Sequence, residues 1–531
     1  MAHSTSTAPD ELTCDVLVIG GGINGVGVAR DAAGRGLSVV LCEKDDLASH
    51  TSSASTKLIH GGLRYLEYGE FGLVRKSLIE REILMRSAPH LIWPLQFVMP
   101  HSPHDKNQRP AWMLRAGLFL YDHLARRDLL PASSTINLRT HIAGAPLKAN
   151  FNRAFVYSDG WVDDARLVVA NAIDAAEKGA RIFTRTRCES AQRNVDHWLA
   201  CLRSTNGQKI DLRARVMVNA AGPWVGDFLH TVAKVHGNKT LRLIKGSHII
   251  VRKLFTHPYA YLLQHSDKRI VFAIPYENDF TLIGTTDLDF SGNLDDVVIE
   301  PSETKYLCDL ASHYFSQKIA PADVLFSYSG VRPLLEEGTT AHGNASAITR
   351  DYRFELNQDG APLLSIFGGK ITTFRRLAEE ALAMMRPLLP QHGAAWTAHA
   401  CLPGGALVGA VGDLPSNRSV SEFAQYVQQK QRDYAWLDQS LVARYVRAYG
   451  NRIDRLLDGC DNLASLGDEI VPTLFAAEVR YLVAHEWAVT AADILWRRSK
   501  LGLHLPSDAK EVLTRWLQQD AEVIGYSVNS N

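Results

Sequence analysis

The chain has 531 residues, more than the roughly 250 to 300 at which a single hydrophobic core stops growing, so two or three domains are expected. Hydrophobic residues make up 46% of the chain and charged residues 21%, which is the balance of an ordinary globular protein. Lys plus Arg and Asp plus Glu both number 57, so the net charge is zero and gives no general attraction to nucleic acid.

The cysteines and the start of the chain favour a cytoplasmic protein without a structural metal. The seven cysteines are scattered without C-x-x-C spacing, which indicates neither a zinc site nor a disulfide framework, and a reducing compartment fits them best. Residues 1–12 are small and polar, carry no secretory signal, and are expected to form a disordered tail. No apolar run reaches the roughly 18 residues of a membrane-spanning helix.

Residues 15–43 are predicted to form a strand, a glycine turn, a helix and a second strand. Gly20, Gly22 and Gly25 fit the pattern G-x-G-x-x-G, in which the second glycine admits a pyrophosphate to the backbone. The predicted helix begins at Ile23 and Asn24, and its first N–H groups, which have no partner within the helix, are available to the phosphates. Glu43 ends the second strand, where a ribose hydroxyl needs an acceptor. A glycine triplet alone is equally consistent with an ordinary turn, but its flanking elements favour dinucleotide binding.

A polar loop rich in Ser and Thr follows at residues 49–57 and leads into a stretch of near-helical periodicity. The adjacent Gly61 and Gly62 let the backbone approach a flat or charged ligand, beside the donors of His60 and Arg64. The stretch STKLIHGGLRYLE resembles the signature of the FAD-dependent, quinone-linked glycerol-3-phosphate dehydrogenases. The resemblance implies FAD contacts here and places Arg64 and Tyr65 at the substrate; the implied FAD contacts are Ser53, Ser55, Thr56, His60, Gly61 and Gly62.

Residues 87–149 are predicted to be an insert. Within it, the 109–127 stretch has an apolar face bracketed by arginines at 109, 115, 126 and 127. Such a face suits a helix lying in a membrane interface, and it suits a buried helix or a dimer contact nearly as well. In the resembled family the enzyme sits on the membrane to reach quinone, which favours peripheral membrane association.

Two further segments are predicted to belong to the nucleotide-binding domain. Residues 164–177 form a helical pattern, and residues 216–224 form an apolar strand ending in small residues. Small side chains at a strand end let the chain pass a bound nucleotide, although a plain core strand has the same pattern. The family resemblance favours FAD contacts at Ala221 and Gly222.

From about residue 240 the periodicity changes to strands rich in β-branched and aromatic residues. Residues 277–279 are a predicted hairpin turn, and the stretch AIPYENDFTLIGTTD resembles the same family. An antiparallel sheet inserted here would cover the cofactor and form a substrate pocket between the two domains.

Arg332 and Arg350 stand near element ends. A single arginine there is usually solvated or paired with a carboxylate, and Asp351 is an obvious partner for Arg350. Two of them leading into a flavin domain fit an anion better, because guanidinium groups bind phosphate bidentately. In the resembled family the matching arginines, with Arg64, hold the substrate phosphate.

Residues 364–375 are predicted to form a strand, a glycine pair and a helix, with Gly368, Gly369, Lys370 and Thr372 as cofactor contacts. If the helix start faces the flavin, its dipole and Lys370 would stabilise the negative charge of the reduced ring. This stretch matches the family's second signature with one departure, because Phe374 stands where a tyrosine is usual.

The expected fold is α/β, with a Rossmann-type FAD-binding domain, an inserted antiparallel β-sheet substrate domain and a C-terminal helical domain. The FAD-binding domain is assigned to residues 13–86, 150–240 and 352–390, the substrate domain to 241–351 and the helical domain to 400–531. In the last, His485, Glu486, Arg497 and Arg498 are expected on the polar face of one helix whose apolar face includes Val479 to Leu495.

The resemblance spans nearly the whole chain and implies oxidation of sn-glycerol 3-phosphate to dihydroxyacetone phosphate, with electrons passed to quinone. His248 and His60 are the candidate bases for the C2 hydroxyl, because an imidazole titrates near working pH. Arg332 is a candidate for stabilising the alkoxide, and Lys370 also contacts substrate. A homodimer at the cytoplasmic membrane is expected. The alternatives are an amino-acid oxidase of the same fold and a flavin-binding interaction protein without turnover.

Overall fold

The computed structural model describes residues 12–102, 108–235, 241–265, 269–335, 351–412 and 414–524. Its strands, in chain order, are β1 Leu12–Ile19, β2 Val39–Cys42, β3 Leu58–Ile59, β4 Ile92–His101, β5 Ser134–Asn137, β6 Arg153–Val162, β7 Arg181–Phe183, β8 Thr186–Arg193, β9 Trp198–Ser204, β10 Lys209–Asn219, β11 Leu241–Arg252, β12 Ala260–Gln264, β13 Ile270–Tyr276, β14 Phe280–Gly284, β15 Leu288–Asp289, β16 Val324–Leu335, β17 Arg353–Asn357, β18 Leu363–Phe367, β19 Glu469–Val471 and β20 Leu474–Phe475.

The α-helices are α1 Ile23–Gly34, α2 Phe71–Ser87, α3 Ala111–His123, α4 Asp164–Glu177, α5 Val225–Thr231, α6 Pro301–Tyr314, α7 Phe374–Met385, α8 Asn417–Ser421, α9 Phe423–Asp433, α10 Gln439–Tyr449, α11 Ile453–Leu456, α12 Ala476–Glu486 and α13 Ala509–Ile524. A 3₁₀-helix at Leu63–Tyr68 and a π-helix at Asp493–Arg498 also bear on the site.

The first sheet has a parallel centre with the strand order β18, β10, β1, β2, β7. Strand β1 reads as a continuous apolar run because both of its faces are covered, and Val16 and Val18 are fully buried. Helix α1 connects β1 to β2 and packs between α4 and α7. The predicted Rossmann-type unit is thus confirmed.

The second sheet is antiparallel over most of its ten strands and contains the predicted strands of the 241–351 region. It continues through a parallel pairing of β12 with β4, and then through β6 and β3. Strands β4 and β5 come from the stretch predicted as an insert, so part of that stretch is integral to the sheet. Tyr276 pairs with Phe280 across the predicted hairpin, whose Glu277 and Asn278 have positive φ.

The C-terminal part is helical apart from the β19–β20 pair, as predicted. The expected long helix is interrupted, because Trp487 adopts a left-handed conformation with φ of 55° and ends α12. The prediction that Glu486 and Arg498 lie on the polar side of that helix is wrong, since both are fully buried. Glu486 pairs with Arg166 of α4, and the ion pair satisfies both charges at the contact with the first sheet's helices.

Candidate active site

A cavity of about 640 Å³ lies between the two sheets. The glycine turn after β1 and the segment after β10 line it on one side, and strands β11 and β16 line it on the other. It therefore occupies the predicted place, the junction of a nucleotide-binding sheet and an antiparallel roof, where ligand pockets commonly form.

The three glycines of the first turn have different roles. Gly20 has φ of 109°, and a Cβ on Gly25 would lie 1.9 Å from the Gly20 carbonyl oxygen, so these two shape the turn itself. A Cβ on Gly22 would meet only the Ser52 hydroxyl among the described residues, at 3.1 Å. Gly22 thus leaves backbone open toward the cavity, as contact with a pyrophosphate requires.

The start of α1 has polar groups suited to a dinucleotide. The Ile23 N–H donates to the Ser52 hydroxyl at 2.9 Å, and the Asn24 amide donates to the Gly368 carbonyl at 3.1 Å. The Asn24 Oδ1 atom is buried with no hydrogen-bond partner within the described ranges, and the first turn of a helix has N–H groups without intrahelical acceptors. This donor and acceptor set fits FAD. Ser52 was not predicted; its only sequence signal is a hydroxyl in the Ser/Thr-rich loop.

Glu43 is buried behind the glycine turn and does not line the cavity. Its carboxylate accepts from the Gly21 N–H at 2.7 Å and from the Asp45 N–H at 2.9 Å. Burial raises the pKa of Glu43 above its usual value, although the two N–H groups oppose the shift. Glu43 therefore ties the turn to the loop after β2, and its contact with a ribose stays a prediction.

The two remaining glycine motifs are joined to each other. The His60 N–H donates to the Thr372 hydroxyl at 3.2 Å, and the Gly61 N–H donates to the Tyr121 hydroxyl at 2.8 Å. Gly62, Gly368 and Gly369 all have positive φ, which explains why glycine is needed there. The backbone of these three glycines, which carries no Cβ atoms, therefore lies beside the cavity.

Most of the predicted cofactor residues line the cavity, namely Gly22, Ile23, Asn24, Ser55, Thr56, His60, Gly62, Gly222, Gly368, Gly369, Lys370 and Thr372. The others do not line it, namely Gly20, Gly25, Glu43, Ser53, Gly61 and Ala221. Phe374, the departure from the family pattern, is buried against Gly27 of α1, where it packs as core.

Arg64, Tyr65 and Lys370 share one wall of the cavity. The Lys370 ammonium lies 3.6 Å from the centre of the Tyr65 ring, a cation–π contact that fixes both side chains. The Arg64 Nε atom is buried with no hydrogen-bond partner in the described part of the chain. This wall therefore combines positive charge with a donor available to an anion.

Arg332 projects into the cavity from β16 beside Asp287, with which it forms an ion pair. Its guanidinium also lies 3.4 Å from the Thr286 carbonyl oxygen. Asp287 was missed as a site residue because it stands at the end of a predicted strand, where only the fold brings it to β16. Arg350 lies outside the described residues, and Asp351 forms an ion pair with Lys76 at 3.4 Å.

His248 lines the cavity from β11 and is 2% exposed. Its Nε2 atom lies 3.0 Å from the Thr56 hydroxyl, and its ring stacks on Tyr328 at 4.8 Å between centroids. Burial lowers the pKa of His248 well below its usual value, and the positive charges of Lys57 and Arg332 add to the shift. The imidazole is therefore neutral near pH 7 and able to accept a proton. His60 also lines the cavity.

Helix α3 has one buried and one exposed apolar face. Leu118 and Tyr121 are 1% and 2% exposed, whereas Trp112 and Phe119 are 70% and 58% exposed. The prediction of a buried helix is therefore confirmed for one face, and contact of the exposed face with a membrane or a second subunit stays a prediction. No helix within the described ranges is long and apolar enough to span a bilayer.

Comparison with known proteins places this geometry among flavoproteins. Residues 15–375 match the family described as FAD dependent oxidoreductase, and residues 396–530 match the C-terminal domain of alpha-glycerophosphate oxidase. These matches agree with the FAD site and the C-terminal helical domain predicted from the sequence.

Two relatives cover almost the whole chain. A glycerol-3-phosphate dehydrogenase of Pseudomonas aeruginosa is 52% identical, with 98% of each chain covered. A D-erythritol 1-phosphate dehydrogenase of Brucella abortus is 51% identical, covering 95% of this chain and 97% of its own. Among solved structures, the glycerol-3-phosphate dehydrogenase of Bacillus halodurans complexed with FAD is 27% identical, with a TM-score of 0.75 over 98% of this chain and 92% of its own.

Proposed function

The chain belongs to the FAD-dependent oxidoreductase family, among the glycerol-3-phosphate dehydrogenases and their close relatives, and from this membership we propose that it oxidises sn-glycerol 3-phosphate to dihydroxyacetone phosphate. The observation that carries the proposal is that Arg64, Arg332 and Lys370 line the same cavity as the glycine loops of the FAD site. Guanidinium and ammonium groups are the side chains that recognise a phosphate dianion.

Arg64 and Arg332 are proposed to hold the phosphate, with Arg350 as a third candidate. In the proposed reaction the C2 hydroxyl loses its proton to His248, with His60 as the other candidate base. When bound, FAD supplies the two-electron acceptor for the hydride that leaves C2. Lys370 contributes positive charge beside the place where negative charge develops, and Arg332 would stabilise the alkoxide.

The substrate assignment is tested with an artificial electron acceptor. We expect kcat/KM for sn-glycerol 3-phosphate to exceed that for glycerol by several powers of ten, because glycerol lacks the phosphate. D-Erythritol 1-phosphate must be compared as a substrate, since a 51% identical relative is named D-erythritol 1-phosphate dehydrogenase. A higher kcat/KM for D-erythritol 1-phosphate would make that compound the preferred substrate, and the assignment of the phosphate site would be unchanged.

The pH dependence of kcat should identify the base. Because the pKa of His248 is lowered below 6.5, its neutral form persists under acid conditions, and kcat should stay flat between about pH 8 and pH 6. The measurement needs saturating substrate, since a phosphate monoester itself titrates near pH 6. A loss of activity with an apparent pKa near 6.5 that disappears in His60→Asn would assign the base to His60 instead.

We also propose that the protein attaches peripherally to the cytoplasmic membrane and passes electrons to a quinone. Met113 and Leu120 of α3 both line the cavity and are 45% and 37% exposed. Tyr68 and Phe71, also exposed, line the same region. The cavity therefore meets an exposed apolar surface, where an amphipathic helix can lie in a lipid interface and an apolar acceptor can enter.

Vesicle binding separates this proposal from a dimer contact. The Trp112→Ser, Phe119→Ser double variant should lose binding to lipid vesicles and keep flavin reduction by substrate, because both side chains point away from the core. Val195→Ser is the control, since Val195 is 88% exposed on the β8–β9 turn. Unchanged vesicle binding, together with a dimer that becomes monomeric by light scattering, would make this surface the homodimer contact.

A further inference from the structure

We propose that Arg497 and Arg498 of the C-terminal domain position the FAD-binding loop at residues 43–56, so that the affinity for FAD depends on this domain. The inference rests on FAD binding and is independent of the substrate. The positioned residue is Asp46, which is 2% exposed and lies three positions after Glu43. Both arginines reach it from a domain whose described residues do not line the cavity.

Both arginines donate hydrogen bonds to the Asp46 carboxylate, and we call this contact the clamp. Arg498 binds Asp46 bidentately, with Nη1 at 2.5 Å from Oδ2 and Nη2 at 2.8 Å from Oδ1. The Arg497 Nε atom donates to Oδ2 at 2.6 Å. Bidentate charge-assisted bonds fix orientation as well as distance, so the backbone at Asp46 is held from outside its own domain.

Arg497 and Arg498 are the last two residues of the π-helix Asp493–Arg498, and both bind the same carboxylate. π-Helical turns are rare, and they occur frequently at functional sites. Asp493, within the same helix, binds Arg497 and also accepts from Arg185 at 2.6 Å. Arg185 in turn donates its backbone N–H to the Asp45 carbonyl at 2.7 Å, beside Asp46.

Loop 43–56 contacts the glycine turn on both sides of Asp46. Before it, the Glu43 carboxylate accepts from the Gly21 N–H at 2.7 Å. After it, the Ala48 N–H donates to the Gly21 carbonyl at 3.2 Å, and the Ser52 hydroxyl accepts from the Ile23 N–H at 2.9 Å. The loop thus supports the turn at Gly21 and the start of α1, which together receive the pyrophosphate. Movement of Asp46 would disturb both.

Asp46→Asn tests the proposal against a matched control, Glu478→Gln. Each variant neutralises a buried carboxylate that an arginine binds bidentately, but Glu478 pairs with Arg444 within the C-terminal domain. Both variants should lower the melting temperature. Only Asp46→Asn should raise the dissociation constant of FAD, by about ten- to a hundredfold, measured as free flavin fluorescence on dilution of the full-length holoenzyme.

Two results would overturn the proposal: an unchanged FAD dissociation constant in Asp46→Asn, or an equal rise in Asp46→Asn and Glu478→Gln. The KM for substrate at saturating FAD should not change, since Asp46 does not line the cavity. If Asp46→Asn does not fold, Arg497→Gln serves instead, because it removes one donor and leaves the Arg498 pair intact. It should still weaken FAD binding, and retention of normal affinity would refute the clamp.

Discussion

The Gly22→Val variant is expected to fold without FAD and to have no dehydrogenase activity. Within the described structure a Cβ on Gly22 meets only the Ser52 hydroxyl, at 3.1 Å, so a small shift of one side chain accommodates it. The valine methyl groups would then occupy the space in front of α1 that a pyrophosphate must enter. Purified protein should be colourless, with a melting temperature close to that of the wild-type apoprotein.

Substitutions at two other glycines serve as comparisons for this variant. Gly226→Val adds the same side chain on α5, where a Cβ would have no described atom within 4 Å apart from its chain neighbours and its own helix, and should keep its flavin. Gly25→Ala should fail to fold, because its Cβ would lie 1.9 Å from the Gly20 carbonyl oxygen. If the Gly22→Val protein is yellow and binds FAD with normal affinity, the first glycine turn does not belong to the cofactor site.

Arg332→Ala should lower kcat/KM for sn-glycerol 3-phosphate by about two to four powers of ten. Hydrogen bonds to a charged group contribute about 1.5 to 3 kcal/mol each, and a guanidinium can make two to one phosphate. The loss should appear in kcat as well as KM, because binding energy from a remote group is partly realised in the transition state. Asp287, left without this arginine, would also repel the phosphate.

Arg242→Ala is the matched control for this variant. Arg242 belongs to β11 of the same sheet and forms an ion pair with Asp289, but it does not line the cavity. The Arg332→Ala, Asp287→Asn double variant should recover part of the lost activity, since it removes the repelling charge. If Arg332→Ala lowers kcat/KM for glycerol and glycerol phosphate by the same factor, Arg332 does not bind phosphate and acts instead on the C2 alkoxide or on the structure of the site.

The parts of the site that the sequence predicts are those that depend on neighbours in the chain. Gly20, Gly22 and Gly25 act through the turn that they form, and the pair Gly368 and Gly369 does the same. Helix α4, Asp164–Glu177, begins and ends as its apolar spacing predicts. These features need no knowledge of the tertiary fold.

The features that sequence reasoning missed depend on long-range contacts. Asp287 is a partner of Arg332 because β15, which begins at the next residue, and β16 both pair with β11. The burial of Glu486 and Arg498 depends on charged partners in a different domain, Arg166 and Asp46, so helical periodicity alone assigned both to the polar side of a helix. In α3, the packing of the helix in the fold decides which apolar face is covered, so that Leu118 is buried while its neighbour Phe119 is exposed.

Anaerobic reduction of the bound flavin tests the central claim most directly. Holoenzyme is mixed without oxygen with sn-glycerol 3-phosphate, with glycerol or with amino acids, and the flavin absorbance is followed. The account predicts rapid bleaching by sn-glycerol 3-phosphate, with dihydroxyacetone phosphate formed in equal amount to flavin reduced, and little bleaching by the others. Bleaching by an amino acid in its place would make the protein an amino-acid oxidase, and no bleaching by any substrate would contradict a dehydrogenase.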